Sequence, residues 1–257
     1  MSRVGVVGFG MGSGDPNRPE PSIVAHSSRR RTLTGDSAAV SLPLSPTTLT
    51  DVTSPPAPLT VGFDLDMTLI DTAPGFRSVL TALGDELGVT FPVEQMTAAL
   101  GPPLELLLAP YLPAEEVAAA GDRFRALYPR LAITSVPLLP GAAEALAAVR
   151  ERAGRVVVVT GKYAPNARLH LDHLGLEVDV LEGWVWGTGK ADALRREGAS
   201  VYVGDHIHDV EGALAAGIES VSVLTGGCSR QELLDAGTHV VLGDLRAFPS
   251  WLAGHGR

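Results

Sequence analysis

Three short apolar runs, each stopping abruptly at a polar cluster, constrain this chain more than any other feature. Leu59-Thr60-Val61-Gly62-Phe63 runs into Asp64-Leu65-Asp66-Met67-Thr68. Residues 156–159 are all valine and run into Thr160-Gly161-Lys162, and Ser200-Val201-Tyr202-Val203 runs into Gly204-Asp205-His206-Ile207-His208-Asp209. Runs of this length and composition read as buried strands. Further strands are expected at 219–224 and 239–242, with helices at 210–216, at 230–236 and at the C-terminal end. Strands alternating with helices imply an α/β fold with a parallel sheet and right-handed crossovers. In such sheets ligands bind at the carboxyl edge. A strand alternates faces, so Asp64 and Asp66 can share a site only if the strand ends at Phe63 and the chain curls there.

Between the first two strands the periodicity changes. Phe76, Val79, Leu80, Leu83 and Leu87 follow helical spacing, Gly101-Pro102-Pro103 interrupts it, and a further helix is expected around 115–128. No strand pattern occurs between 72 and 136, so these residues read as a helical insertion. Pro137-Leu138-Leu139-Pro140-Gly141 then restarts the core. The expected organisation is a core of residues 58–71 and 137–257 with a helical insertion of 72–136. Residues 1–57 hold 9 Ser, 6 Thr, 7 Pro and 6 Gly without helical periodicity and read as a disordered tail. Two decoys lie in it. Gly8-Phe9-Gly10-Met11-Gly12 has Ser13 where a dinucleotide loop needs its third glycine, and Arg29-Arg30-Arg31 reads as a solvated run. The short, glycine-broken apolar stretch near the start does not read as a signal peptide.

Composition excludes several classes. The net charge of -9 argues against sequence-independent nucleic-acid binding. No apolar run approaches the ~20 residues of a membrane span, and the single Cys228 suits a reducing cytoplasm. The 20 basic residues include only two lysines, Lys162 and Lys190, each in a Thr-Gly-Lys triplet. A compact ammonium beside a phosphoryl group fills a role that a planar guanidinium fits poorly.

Asp-x-Asp-x-Thr at a strand end suits phosphoryl transfer, with one carboxylate to attack and the other to move protons. Together with the strand-end Thr160, with Lys190 and with Gly204-Asp205-x-x-x-Asp209, it resembles the four ordered motifs of the haloacid dehalogenase superfamily over about residues 59–250. The Leu100–Glu105 segment and residues 137–141 look like the phosphoglycolate phosphatase branch. The resemblance implies a Rossmann-like core carrying a small helical cap, and Mg²⁺-dependent hydrolysis of a small-molecule phosphate monoester. Position by position, it implies that Asp64 is the nucleophile and Asp66 the proton donor and acceptor. Thr160 and Gly161 would hold phosphoryl oxygens, Lys190 would neutralise charge, and Thr68 would hold the loop and orient Asp66. Thr68, Gly161 and Lys162 are the substrate-binding candidates. Asp64, the Asp66 carbonyl, Asp205 and Asp209 would hold the metal.

Other residues read more plainly. His206 and His208 have ligand-like spacing but are expected on the loop surface, Trp184 and Trp186 are expected to pack at a strand end, and Arg77, Arg123 and Arg125 to lie on exposed helix faces. Gly187-Thr188-Gly189-Lys190 is not a P-loop, since Trp184 and Ala191 stand at two required positions. Met67 replaces the glycine familiar at its place, implying a loop that needs no positive φ there. A phosphomutase or nucleotidase of the same superfamily, or a non-catalytic regulator sensing a phosphorylated ligand, are the competing readings. A dehalogenase is disfavoured, because that branch lacks the carboxylate at Asp66. The sequence leaves the oligomeric state open.

Overall fold

Alternation sorts the apolar runs onto the two faces of one sheet. In the computed structural model, which describes residues 59–255, the six strands are β1 (Thr60–Phe63), β2 (Arg155–Val159), β3 (Val180–Glu182), β4 (Val201–Gly204), β5 (Glu219–Val223) and β6 (Val240–Leu242). The expected disordered tail of 1–57 and its two decoys lie outside the described residues. The strand order is β3-β2-β1-β4-β5-β6, and every neighbouring pair is parallel. Val156 and Val158 join Val61, Phe63, Val201 and Val203 on one face, under helices α5 (Ala142–Glu151), α6 (Ala164–Leu174) and α10 (Phe248–Gly254). Val157, Val159 and Tyr202 face the other way, against Ala193, Leu194 and Ala213 of helices α7 (Lys190–Arg196) and α8 (Ile207–Ala216). Each fully buried side chain of this size stabilises by ~1.5–3 kcal/mol, so two-sided burial holds the sheet.

This order places the crevice. The chain winds outward from β1 through β2 to β3, then returns to β4 on the other side of β1. Ligand sites in open sheets lie where the strand order reverses, and here that point falls between the carboxyl ends of β1 and β4. Gly62 is needed beneath it. A Cβ there would sit 2.7 Å from Leu194 and 2.8 Å from the Tyr202 ring, so only glycine lets Tyr202 lie flat across β1.

Between β1 and α5 the described residues carry helices and no strand: α1 (Ala73–Leu87), α2 (Val93–Ala98), α3 (Leu104–Leu108) and α4 (Ala114–Leu131). Phe76, Val79, Leu80 and Leu83 of α1 pack on Phe124, Leu127 and Tyr128 of α4 in a cluster of their own. Helix α4 runs past Pro129, beyond the expected boundary at 128. Proline cannot donate to the Arg125 carbonyl one turn back; the buried Asn166 of α6 supplies the missing N–H instead, at 3.4 Å. The insertion is thereby tied to the core by a backbone group that its own helix leaves unpaired.

Other boundaries differ from expectation. Helix α8 begins at Ile207 rather than 210, because His206 and Asp209 form a reciprocal cap at its start. Helix α9 (Arg230–Asp235), β5 and β6 are each one residue shorter than expected. The half-buried edge strand β3 gave no alternating signal of its own.

The loop after β1 corrects one reading outright. Met67 lies at φ 59, in the left-handed region, where a side chain costs about 1–2 kcal/mol. It is held there because its N–H donates to Ile70 O at 2.8 Å and its carbonyl accepts from Thr225 Oγ1 at 2.6 Å. A β-branched residue tolerates this conformation worst. Met67→Val is therefore expected to lower unfolding stability by more than ~1 kcal/mol relative to Met67→Gly. Equal denaturation midpoints for the two variants would show that the loop relaxes without strain.

Candidate active site

The ladder ends at Phe63, but Asp64 still donates its N–H to Val203 O at 2.8 Å, which pins its backbone to the end of β4. Its carboxylate accepts a hydrogen bond from Lys190 Nζ at 2.8 Å. The same ammonium donates to Asp209 at 2.6 Å and to the Tyr202 hydroxyl at 2.9 Å. Tyr202 in turn donates to Val159 O at 2.5 Å. All four side chains are buried. The end of β1, the middle of β4 and the starts of α7 and α8 are thus joined at one nitrogen.

Asp205 completes the cluster. Thr68 Oγ1 donates to it at 2.8 Å, linking the β1 loop to the β4 loop. This corrects the reading of Thr68 as the group that orients Asp66: Thr68 is fully buried against Asp205 and does not line the cavity. The hydroxyl on Asp66 belongs to Thr72. Asp209 serves two purposes, since one carboxylate oxygen meets Lys190 while the other accepts the His206 N–H at 3.1 Å.

Two glycines shape the cradle. A Cβ on Gly204 would overlap the Asp209 carboxylate, and one on Gly226 would overlap Asp205. Gly226 follows β5, so the strand-end reasoning that found Asp64 and Asp205 would have reached it, had Thr225-Gly226-Gly227 been weighed as another polar cluster.

Asp64, Asp205 and Asp209 each offer an oxygen, all within 4.8 Å of one another. Burial, then the neighbouring Asp209 and Asp66, push the Asp64 carboxyl up to about 7 against the opposing pull of Lys190. Burial and then Asp209 and Asp64 hold Asp205 well above the carboxylate range. Three carboxylates against one ammonium leave two negative charges uncompensated, in a setting where unpaired charge is costly. Hard oxygen donors with that residual charge fit a divalent cation.

The second lysine makes a separate pair. Lys162 Nζ contacts Asp66 at 2.7 Å and lies 4.4 Å from the centre of the Tyr128 ring of α4. Burial works to raise Asp66, but Lys162 and the Thr72 hydroxyl outweigh it and hold the carboxyl below its ordinary value. Tyr128 also meets His170 Nε2 at 3.1 Å, and burial, then Lys162, lowers that imidazole to about 4. Thr160 is buried beside these groups and its hydroxyl accepts the Lys162 N–H at 3.2 Å. Thr160 and Gly161 both line a cavity of about 210 Å³ shared with Asp64, Asp66, Lys162, Lys190, Asp205 and Asp209.

The expected bystanders divide. Arg77 and Arg123 form exposed ion pairs with Glu94 and Glu86. Arg125 does not fit an exposed face: its side chain is 14% exposed, pairs with Glu105 and Asp122, and lies 5.2 Å over Trp184 at the cavity. His206 and His208 both line the cavity, although neither belongs to the carboxylate cluster. Trp184, expected to pack, is 63% exposed.

A model of the haloacid dehalogenase-like hydrolases matches residues 61–214, a span that holds all four motifs. The chain belongs to this family. A second model, of hydrolase-like domains of haloacid dehalogenase type, matches residues 187–248. The family relatives include a tyrosine-protein kinase, PtkA, of Mycobacterium tuberculosis, 33% identical over 193 residues that cover 70% of this chain and 66% of that protein. The chain thus spans just under two thirds of the length of that relative. A phosphoglycolate phosphatase of Rhodospirillum rubrum is 30% identical over 76% of this chain and 91% of its own length. Among solved structures, a haloacid dehalogenase-like hydrolase from Streptococcus pneumoniae superposes with a TM-score of 0.68 at 22% identity, over 78% of this chain and 99% of that one. The Rossmann-like core with its helical insertion is the haloacid dehalogenase fold. No helix among the described residues is long and apolar enough to cross a membrane.

The raised carboxyls give a pH-dependent stability with a definite sign. Unfolded, Asp64 releases its proton near 3.8; folded, with no cation bound, it keeps it to about 7. Between those values the native state binds more protons than the unfolded state, so stability falls as pH rises. His170, lowered to about 4, opposes this up to its ordinary value of 6.5. In EDTA the melting temperature is therefore expected to decline between pH about 6.5 and about 7.5, and added Mg²⁺ to raise it more at the higher pH. Differential scanning fluorimetry measures both. Equal Mg²⁺ effects at the two pH values would contradict this electrostatic account.

Proposed function

We propose that this protein hydrolyses a phosphate monoester of a small molecule, in the presence of Mg²⁺, through an aspartyl phosphate on Asp64. One observation carries the reading: Lys190 holds Asp64 at the switch point of the sheet, beside Asp205 and Asp209 and lining the same cavity as Asp66. The phosphatase-named relative, of which the chain covers 91%, supports the same class.

In the first step an Asp64 carboxylate oxygen attacks phosphorus and the bond to the leaving oxygen breaks. Lys190 neutralises charge on the nucleophile and on the phosphoryl group, while Thr160 Oγ1 and the Gly161 N–H hold phosphoryl oxygens. Asp66 gives its proton to the leaving alkoxide. In the second step Asp66 takes a proton from water, whose oxygen attacks the same phosphorus, releasing inorganic phosphate and the Asp64 carboxylate. Lys162 holds Asp66 ionised before substrate enters. An arriving phosphoryl oxygen draws the ammonium away, and Asp66 then takes up from solvent the proton that it gives to the leaving group. The proton it later takes from water returns to solvent when Lys162 pairs with it again. Asp64, Asp205, Asp209 and the Asp66 carbonyl would hold Mg²⁺, which when bound neutralises negative charge on the phosphoryl oxygens.

A second reading rests on the relatives named tyrosine-protein kinase: the phosphoryl group on Asp64 could pass to a hydroxyl other than water. The core residues would be the same.

Phosphate release from a panel of monoesters, with Mg²⁺ and with EDTA, tests the proposal. Turnover is expected only with Mg²⁺, and Asp64→Asn is expected to lower it at least ~10⁴-fold while leaving the melting temperature within a few degrees. Turnover retained by Asp64→Asn would refute the nucleophile. Phosphate appearing on an added hydroxyl acceptor instead of in solution would favour the second reading.

A further inference from the structure

The chain has 6 Phe, 4 Tyr and 3 Trp, and six of these line the single cavity that holds the carboxylates. Tyr163 and Trp184 stand against each other with centroids 5.1 Å apart. Phe124 and Tyr128 face the cavity from α4, 5.8 Å apart. Trp186 packs on His208 at 4.2 Å, and among the described residues its buried indole Nε1–H finds no hydrogen-bond partner. A donor out of contact with water and without an acceptor is unusual.

Trp184 carries the strongest signal. It sits at φ 59, a conformation that is an outlier for a bulky residue, and its N–H is fixed to Lys162 O at 2.9 Å. The strained backbone does not bury the ring: 63% of the residue remains exposed at the cavity. Strain that keeps a large aromatic out of the core marks a functional position.

Charge points the same way. Among the described residues lining the cavity, the cations are Lys162, Lys190 and Arg125, and each is already in an ion pair. Arg125 is the sole one of these on the insertion, and its guanidinium is held by Glu105 and Asp122. A leaving group carrying its own carboxylate would meet no spare cation there, but an uncharged ring would meet aromatic walls.

Resting on the phosphatase reading, we infer that the leaving group is an aromatic ring-bearing alcohol or phenol, read by Trp184, Trp186, Tyr163 and the α4 aromatics. The substrate class is an aryl or arylalkyl phosphate monoester rather than a phosphorylated carboxylic acid.

The test compares kcat/KM of the full chain with Mg²⁺ for benzyl phosphate, ethyl phosphate and 2-phosphoglycolate. Benzyl and ethyl alcohols are similar leaving groups, so their ratio reports ring recognition and not bond reactivity. Benzyl phosphate is expected to exceed ethyl phosphate about 30-fold and to exceed 2-phosphoglycolate as well. Trp184→Gly, which relieves the backbone strain and so should fold at least as well, is expected to cut the benzyl-to-ethyl ratio to about 3. Phenyl phosphate and a phosphotyrosine peptide, which share a phenol leaving group, then distinguish a metabolite from a protein segment as the source of the ring. A ratio near one, a ratio unchanged by Trp184→Gly, or a preference for 2-phosphoglycolate overturns it and leaves the phosphatase reading standing. No turnover of any ester overturns both.

Discussion

A single buried ammonium organises this molecule. Lys190 Nζ is shared by Asp64, Asp209 and Tyr202, which come from two strands and the helix that follows the second. Truncating one partner of a buried ion pair costs about 3–5 kcal/mol, because the opposite charge is left unpaired. Here two carboxylates would be left, with Asp205 beside them. The rest of the core follows from the need to bring these groups together: Gly62 lets Tyr202 cross β1, Gly204 and Gly226 clear space for Asp209 and Asp205, and the two-faced valine strands hold β1 against β4.

The arrangement separates two tasks that use like side chains. Around Lys190 the carboxylates outnumber the cation, so burial drives Asp64 and Asp205 upward and the cluster suits a divalent ion. Around Lys162 the balance is one to one, and Asp66 stays ionised until something competes for the ammonium. The helical insertion reaches this second pair directly. Tyr128 covers Lys162 and contacts His170, while Asn166 occupies the carbonyl that Pro129 leaves open. The helical insertion therefore reaches Asp66 through one shared cation.

Much of this was legible in the sequence, for a definite reason. Strand-end spacing turns a linear pattern into proximity, so Asp64, Asp66, Asp205 and Asp209 stand out by position and residue type, and the resemblance to the four ordered motifs adds Lys190 and the roles. What escaped depends on distances between segments. Thr68 stands two residues from Asp66, yet its hydroxyl turns to Asp205, and Thr72 takes the place assigned to it. Met67 violates the expected backbone because contacts from Ile70 and Thr225 over-determine it. Arg125 and Trp184 looked like a surface charge and a packing residue; their meeting at the cavity depends on how α4 lies over the β3–α7 connection. Strand β3 is short and half-buried, so neither alternation nor an apolar run marks it.

The central claim is that Asp64 becomes covalently phosphorylated. Its most direct test is rapid acid quenching during turnover of a ³²P-labelled monoester with Mg²⁺, followed by mapping of the label. The account predicts a phosphoryl group on the peptide containing Asp64, absent from Asp64→Asn and chased into phosphate on dilution. Label on another residue, or label retained in the Asp64→Asn protein, would contradict it.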